Sequence, residues 1–421
     1  MEENSYLCID FKSFYASVEC AERGLDPMTT NLAVADPERG RGALCLAVSP
    51  AMKALGVKNR CRVYQIPAHI KYITAPPRMK RYIEYSADIY AVYLKYLAKE
   101  DIHVYSIDEA FLDVTQYLSL YQLTARELAV RIMADIKETT GIPAAAGIGT
   151  NLYLAKTALD LTAKHAEDSI GYLDESLYRQ RLWNHRPLTD FWRVGEGTAK
   201  RLARGGILTM KDIAYAEEKM LYGWFGIDAE LLIDHAWGRE SASMADIKSY
   251  QPKSKSLSSG QILLRNYSFE EGKLLLKEMA DSLCLDLAQQ GLTAGSVSIV
   301  VGYSYETGLK HSAGSVSLPD PSNSYQAVMS CALRLYERIV QRGKPIRRIN
   351  VTCSGIGKEE YQQYHLFTDA AAMEREKKLQ QAVLEIKRRF GKNALVRGMD
   401  LLEAGTARKR NRQIGGHKSG E

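Results

Sequence analysis

The chain has 421 residues, 46% of them hydrophobic and 25% charged, which makes it too long for one ordinary core and apolar enough to bury several. No run of roughly eighteen apolar residues occurs, and no basic segment followed by an apolar one opens the chain; this argues against a membrane span or a secretion signal and for a cytoplasmic protein. Seven scattered cysteines (Cys8, Cys20, Cys45, Cys61, Cys284, Cys331, Cys353), never in a Cys-x-x-Cys pair, predict reduced, mostly buried thiols rather than a disulfide framework or a zinc site. A net charge of +6 permits a polyanionic partner without identifying one.

In chain order, Tyr6 to Asp10 reads as a short apolar strand ending on a carboxylate, and Phe11 to Glu19 as a helix packed back on its sheet. An Asp in that place is either an oxygen ligand at a sheet edge or a helix cap. A small unit broken by Gly and Pro follows, with a strand over Ala43 to Val48 and a helix from Ser49-Pro50 to about Gly56. Next comes a long amphipathic helix whose tyrosines (Tyr82, Tyr85, Tyr90, Tyr93, Tyr96) are spaced for packing rather than for stacking on bases. Between Val104 and Val114, Asp108 and Glu109 interrupt two apolar runs, which predicts a tight hairpin with both carboxylates at its tip. Adjacent like charges resist desolvation unless a cation lies between them; a hard divalent metal is the simplest cation, and a solvated acidic turn is the alternative.

A helix over about 124–140 and a strand over Ala144 to Gly149 complete the order strand, helix, hairpin, helix, strand. That order is a split βαβ sheet in an α+β fold, and it brings Asp10 and Asp108 to neighbouring strand ends. Thr150-Asn151 then turns into a helix carrying Lys156 and Lys164. From about 175 to 240 the chain is helical, and Phe191 to Thr209 reads as a helix-hairpin-helix. Its turn at Gly195 and Gly197 would offer backbone N–H groups to a nucleic-acid phosphate, with Lys200 and Arg201 beside it; a plain helix connection is the alternative. Residues 240–257, rich in Ser and Lys, read as a flexible basic tether. A second α+β unit follows, with strands near Gly260–Leu264, Ser296–Tyr303, Gly314–Leu318 and Ile346–Ser354, helices over about 269–290 and 324–342, and one sheet face left for a partner. A charged helix from Ala370 to Phe390 precedes a basic end (Arg408, Lys409, Arg410, Arg412, Lys418) that reads as a solvated tail or a phosphate contact.

Three carboxylates on two strand ends are the minimum for holding two magnesium ions roughly 3.5–4 Å apart. Lys53 and Lys156 would then hold a triphosphate. Asp10-Phe11-Lys12-Ser13-Phe14-Tyr15, Ala54-Leu55-Gly56-Val57-Lys58, Ser106-Ile107-Asp108-Glu109-Ala110-Phe111 and Gly147-Ile148-Gly149-Thr150-Asn151 with Leu154-Ala155-Lys156 together resemble the Y-family, or translesion, DNA polymerases. The likeness runs in order over almost the whole chain and is strongest to the UmuC-like branch of Gram-positive bacteria and their mobile elements.

The resemblance implies a multidomain right-hand polymerase. It implies a ferredoxin-like palm over 1–24 and 77–172, fingers over 25–76, a thumb over 173–240, a linker over 241–257 and a little finger over 258–360. A clamp-binding and basic tail would occupy 361–421. Asp10, Asp108 and Glu109 become the magnesium ligands, assisted by the Phe11 carbonyl. Tyr15 becomes the steric gate against a ribose 2′-hydroxyl, with Phe14 beneath the sugar, and Ser13, Lys53 and Lys156 at the triphosphate. Three positions depart from the family pattern. Lys12 stands where many relatives have a second carboxylate, and Pro50 and Lys53 stand where many have Tyr and Arg, leaving a point charge in place of a bidentate one. Gln363-Tyr364-His365-Leu366-Phe367 fits the Gln-x-x-Leu-Phe pattern that docks on the bacterial sliding clamp. The expected activity is low-fidelity, template-directed synthesis from dNTPs on primer-template DNA, in DNA repair and the SOS response. The rivals are a non-catalytic DNA- and clamp-binding regulatory paralogue and a two-metal nuclease.

Overall fold

The structure, a computed structural model, describes residues 4–252, 255–359 and 370–420, and the Gln363, Leu366 and Phe367 segment lies outside them. The chain divides into two units, one of residues 1–250 with 418–421, the other of residues 251–417.

The first unit is built on a five-stranded sheet in the order Ile102–Val104, Glu109–Asp113, Tyr6–Phe11, Ala144–Gly149, Ile170–Leu173. Tyr6–Phe11 runs antiparallel to both neighbours, as a split βαβ sheet requires, and Ile170–Leu173 adds an unanticipated fifth strand parallel to Ala144–Gly149. Alternation along the central strand sorts the two faces. Leu7, Ile9 and Phe11 join the core beneath helices Met79–Tyr93 and Ala125–Thr140, while Tyr6 and Cys8 pack on the other side with Leu152 and Ala155 of helix Leu152–Thr157. The tyrosines of the long helix are packing residues: Tyr82 and Tyr93 are buried, and Tyr85, Tyr90 and Tyr96 lie against the same core. A capping box between Thr124 and Glu127 starts the second core helix, and left-handed Gly141 ends it.

Several expectations change. The run Ala43 to Val48 is a regular strand only over Ala47–Val48, because its earlier residues switch partners: Cys45 N–H donates to Cys61, and Leu46 N–H to Val34. The hairpin is not a two-residue turn. Tyr105 and Ser106 N–H both donate to the Glu109 carbonyl, so Asp108 lies on the turn and Glu109 opens the returning strand. No Gly or Asn occupies Ser106-Ile107-Asp108, and a two-residue turn of the favoured type needs them. The tether between the units holds a helix, Met244–Ser249, started by a capping box of Ser243 and Asp246; Lys248 Nζ donates to the Ile102 carbonyl at 2.6 Å.

A compact helical segment follows the sheet, with a core of Phe191, Val194, Leu202, Ile207, Met210 and Leu221 among others. The second unit carries an antiparallel sheet in the order Ser312–Ser322, Leu292–Tyr303, Ile346–Ser354, Ser256–Tyr267, packed against helices Phe269–Gln289 and Tyr325–Ile339. The basic end is folded rather than a solvated tail. Arg410 donates to Ser259 at 2.9 Å within the second unit, and Lys418 pairs with Glu38 at 2.7 Å within the first. All seven cysteines are free and all but Cys61 are buried; among the described residues no helix is long and apolar enough to cross a membrane.

Candidate active site

Strand register carries the carboxylates together. Asp10 lies directly opposite Glu109, and Phe11 N–H donates to the Asp108 carbonyl at 3.1 Å. Burial, then the charges of Asp108 and Glu109, push the Asp10 carboxyl up to about 7. Three acids competing for one poorly solvated place are stabilised by a cation, and their oxygen donors suit a hard divalent one. Among the described residues no three such groups yet converge at metal-ligand distance. Asp108 Oδ1 is occupied by the Ser106 hydroxyl at 2.6 Å, and the two oxygens of buried Glu109 by the Cys8 thiol at 3.2 Å and Lys156 Nζ at 2.9 Å. The oxygen donors of Asp10, Asp108 and Glu109 fit such an ion by their chemistry and by the strand register that makes Asp10 the neighbour of Glu109.

Lys156, expected at a triphosphate, is engaged by carboxylates of its own chain. It is buried on the last turn of its short helix, paired with Glu109 and with Asp160. Burial opposes its charge, but Cys8, Asp160 and Glu109 more than offset this and hold the ammonium above the ordinary lysine range. Removing one partner from such a buried pair costs roughly 3–5 kcal/mol. Lys53, by contrast, is an exposed residue; loss of water around its ammonium lowers its pKa, Asp10 and Asp108 oppose that shift, and Lys164 adds to it. Lys164 is a second exposed cation, whose charge acts on Lys53 and which lies 3.8 Å from Asp160. Its helical spacing of four from Asp160 was the available signal, and the sequence reading gave it no role.

The aromatic residues form one wall. Ser13 takes a left-handed backbone conformation, φ 53°, immediately before helix Phe14–Ala21, and its buried hydroxyl has no partner among the described residues. Such a conformation stores on the order of 1–3 kcal/mol in a non-glycine residue and is most often retained at functional sites. Phe14 is buried 5.7 Å from Phe11, and half-buried Tyr15 stacks on Tyr82 at 4.6 Å. Burial, then the charge of Asp108, raise the Tyr15 phenol, so the ring feels that carboxylate. Tyr82 is in turn fixed by Glu19, which is fully buried and bonded to Tyr82 and Arg78. That buttress was missed; a Glu four residues after Tyr15, amid apolar neighbours, was its trace.

In the helical segment, Gly195 is the N-cap of helix Glu196–Arg204 and supplies no side-chain cap, leaving first-turn N–H groups for another acceptor. Gly197 is inside that first turn rather than in the connection. Lys200 is exposed beside Glu196, whereas Arg201 donates to the Trp224 carbonyl and lies 5.6 Å over Phe225, so it is tied to the neighbouring helix.

A family model described as the impB/mucB/samB family matches residues 9–160, and one for the C-terminal domain of the same family matches residues 254–366. UvrX of Bacillus subtilis (strain 168), a protein named for UV-damage repair, is 32% identical over 98% of this chain and 97% of its own length. DNA polymerase IV 2 of the same organism is also 32% identical, over 99% of each chain. DNA polymerase IV of Pelotomaculum thermopropionicum is 30% identical over 96% of this chain and 97% of its own. Among solved structures, a Y-family DNA polymerase chimera of Dbh and Dpo4 superimposes with a TM-score of 0.65 at 21% identity, covering 84% of this chain and 99% of that one, a likeness of fold. With relatives of this identity matched end to end, the chain belongs to the impB/mucB/samB family, the UmuC-like Y-family polymerases.

Proposed function

We propose that this chain is a template-directed, low-fidelity DNA polymerase that extends a primer past damaged bases. The observation that carries the reading is Asp10 opposite Glu109, with its carboxyl at about 7, and a Tyr15 ring that feels the Asp108 charge. Asp10, Asp108, Glu109 and the Phe11 carbonyl would hold two magnesium ions. When bound, these ions lower the pKa of the attacking hydroxyl and neutralise charge on the transferring phosphoryl group.

The chain's own residues bind and orient. Lys53 and Lys164 offer paired positive charge to a triphosphate, and the Ser13 hydroxyl, without a partner among the described residues, offers a donor. Tyr15, backed by Tyr82, sets an apolar edge where a 2′-hydroxyl would stand, and exclusion of that kind needs no hydrogen bond. Phe14 supports the sugar from below. The first turn after Gly195, with Lys200, holds backbone phosphate without reading sequence. In this reading palm, fingers, thumb and little finger keep the boundaries given above, supported by the division of the chain near residue 250. Leu366 and Phe367 would dock on the sliding clamp. The non-catalytic alternative gives no reason for the crowded carboxylates.

Primer extension tests the assignment. Asp108→Ala and Glu109→Ala are expected to abolish synthesis on a primed template, and Tyr15→Ala to raise ribonucleotide incorporation while synthesis continues. Undiminished extension by either carboxylate variant would sink the polymerase assignment, and unaltered sugar selectivity would remove the gate.

A further inference from the structure

Lys156 is the one buried cation in contact with a carboxylate of the site among the described residues, and it has two acceptors. Its Nζ lies 2.9 Å from Glu109 Oε2 and 3.1 Å from Asp160 Oδ2, with the Lys156 and Glu109 side chains each 10% exposed and Asp160 26%. Asp160 owes its position to an unusual backbone. Residues Ala158–Thr162 form a π-turn that continues helix Leu152–Thr157, a distortion that concentrates at functional sites. The strand Ile170–Leu173 holds the turn in place: a Cβ at Gly171 would lie 2.6 Å from the Ala158 carbonyl oxygen.

The two acceptors matter because Glu109 has no idle oxygen. A divalent cation that takes Glu109 Oε2 competes with the Lys156 ammonium, which already lies 2.9 Å from that oxygen, and repels it. A displaced lysine without another partner would be an uncompensated buried charge, which opposes metal binding. We propose that Asp160 is a positioning residue that takes over the Lys156 ammonium when a divalent cation claims Glu109, so that Lys156 stands in for that cation beforehand. This rests on the reading of Glu109 as a metal ligand. The exchange involves no proton or covalent bond; it moves one ammonium from a shared to a single acceptor.

Manganese(II) binding to the full chain, without DNA or nucleotide, tests this by calorimetry at a pH above the Asp10 titration. Asp160→Asn is expected to weaken binding about tenfold, the usual scale for a residue supporting a metal ligand. In a Lys156→Met background the same substitution is expected to change binding little, because its effect runs through the lysine. Asp160→Glu, which keeps the second acceptor, is expected to restore affinity. An equal loss in both backgrounds would reduce Asp160 to a nearby charge and overturn the proposal, as would unchanged binding by Asp160→Asn with Lys156 present. If Asp108→Ala and Glu109→Ala left manganese binding intact, the metal reading itself would fail, a result distinguishable from failure of Asp160 alone.

Discussion

Asp10 is held as an acid at a pH where an ordinary aspartate is long ionised, and this has a consequence for stability. Its carboxyl moves from 3.8 to about 7 on folding, by burial first and by Asp108 and Glu109 next. Between those values the folded chain binds a proton that the unfolded chain has released, so stability falls as pH rises through the window, by a few kcal/mol at most. A divalent cation that binds the ionised form opposes this loss. Thermal unfolding without metal is therefore expected to show a decline in stability between about pH 4 and 7 that Asp10→Asn abolishes, and manganese is expected to stabilise more above that range than below it. Equal manganese stabilisation at both ends of the range would contradict this account of Asp10. The same residue shows how the sequence could be read: Asp10 and Asp108 were legible as strand-end acids, whereas the engagement of Glu109 by Lys156 was not, because forty-seven residues separate the two.

At the scale of elements, the site depends on how closely helix Leu152–Thr157 approaches the strand Ala144–Gly149. A Cβ at Gly149 would lie 2.2 Å from Ala155 N, and one at Gly147 would lie 2.1 Å from the Ala155 carbonyl oxygen. Neither glycine has a positive φ, so the requirement is contact rather than backbone conformation. That contact lowers the helix onto the sheet and delivers Lys156 to Glu109. Gly149→Val is expected to cost about 3 kcal/mol or more by forcing the two elements apart, and to reduce manganese affinity in the fraction that still folds. Gly197→Ala has open space around its Cβ and is expected to leave thermal stability unchanged or slightly higher. Similar melting temperatures for the two variants would refute the packing argument.

At the scale of the molecule, the residues proposed as catalytic lie in the first unit, and the proposed clamp-docking segment comes after the sheet of the second along the sequence. On the proposed reading, primer extension and clamp attachment are separable properties. Replacing both Leu366 and Phe367 by Ala is expected to weaken clamp binding roughly 30-fold or more, as loss of buried apolar anchors does, and to leave clamp-free extension unchanged. Surface-plasmon measurement on immobilised clamp checks this, and retained affinity would remove the docking role. DNA binding is expected to weaken with salt, because phosphate contacts of the kind proposed for the helical segment release counterions.

The sequence alone determined the α+β class, the strand and helix of the second unit near Ile346–Ser354 and Phe269–Gln289, and the acids that gather at one sheet edge, because hydrophobic period and capping residues are local signals. It also contained the family likeness, since four motifs in order constrain a fold more than any one does. Tertiary structure decided what each charge near those acids does. Lys156 became the partner of Glu109, the charge of Lys164 came to act on Lys53, Glu19 became the anchor of Tyr82, and the basic end folded onto its own units. A charge's role depends on which opposite charge lies within a few ångströms and how much water remains, and neither quantity is written along the chain.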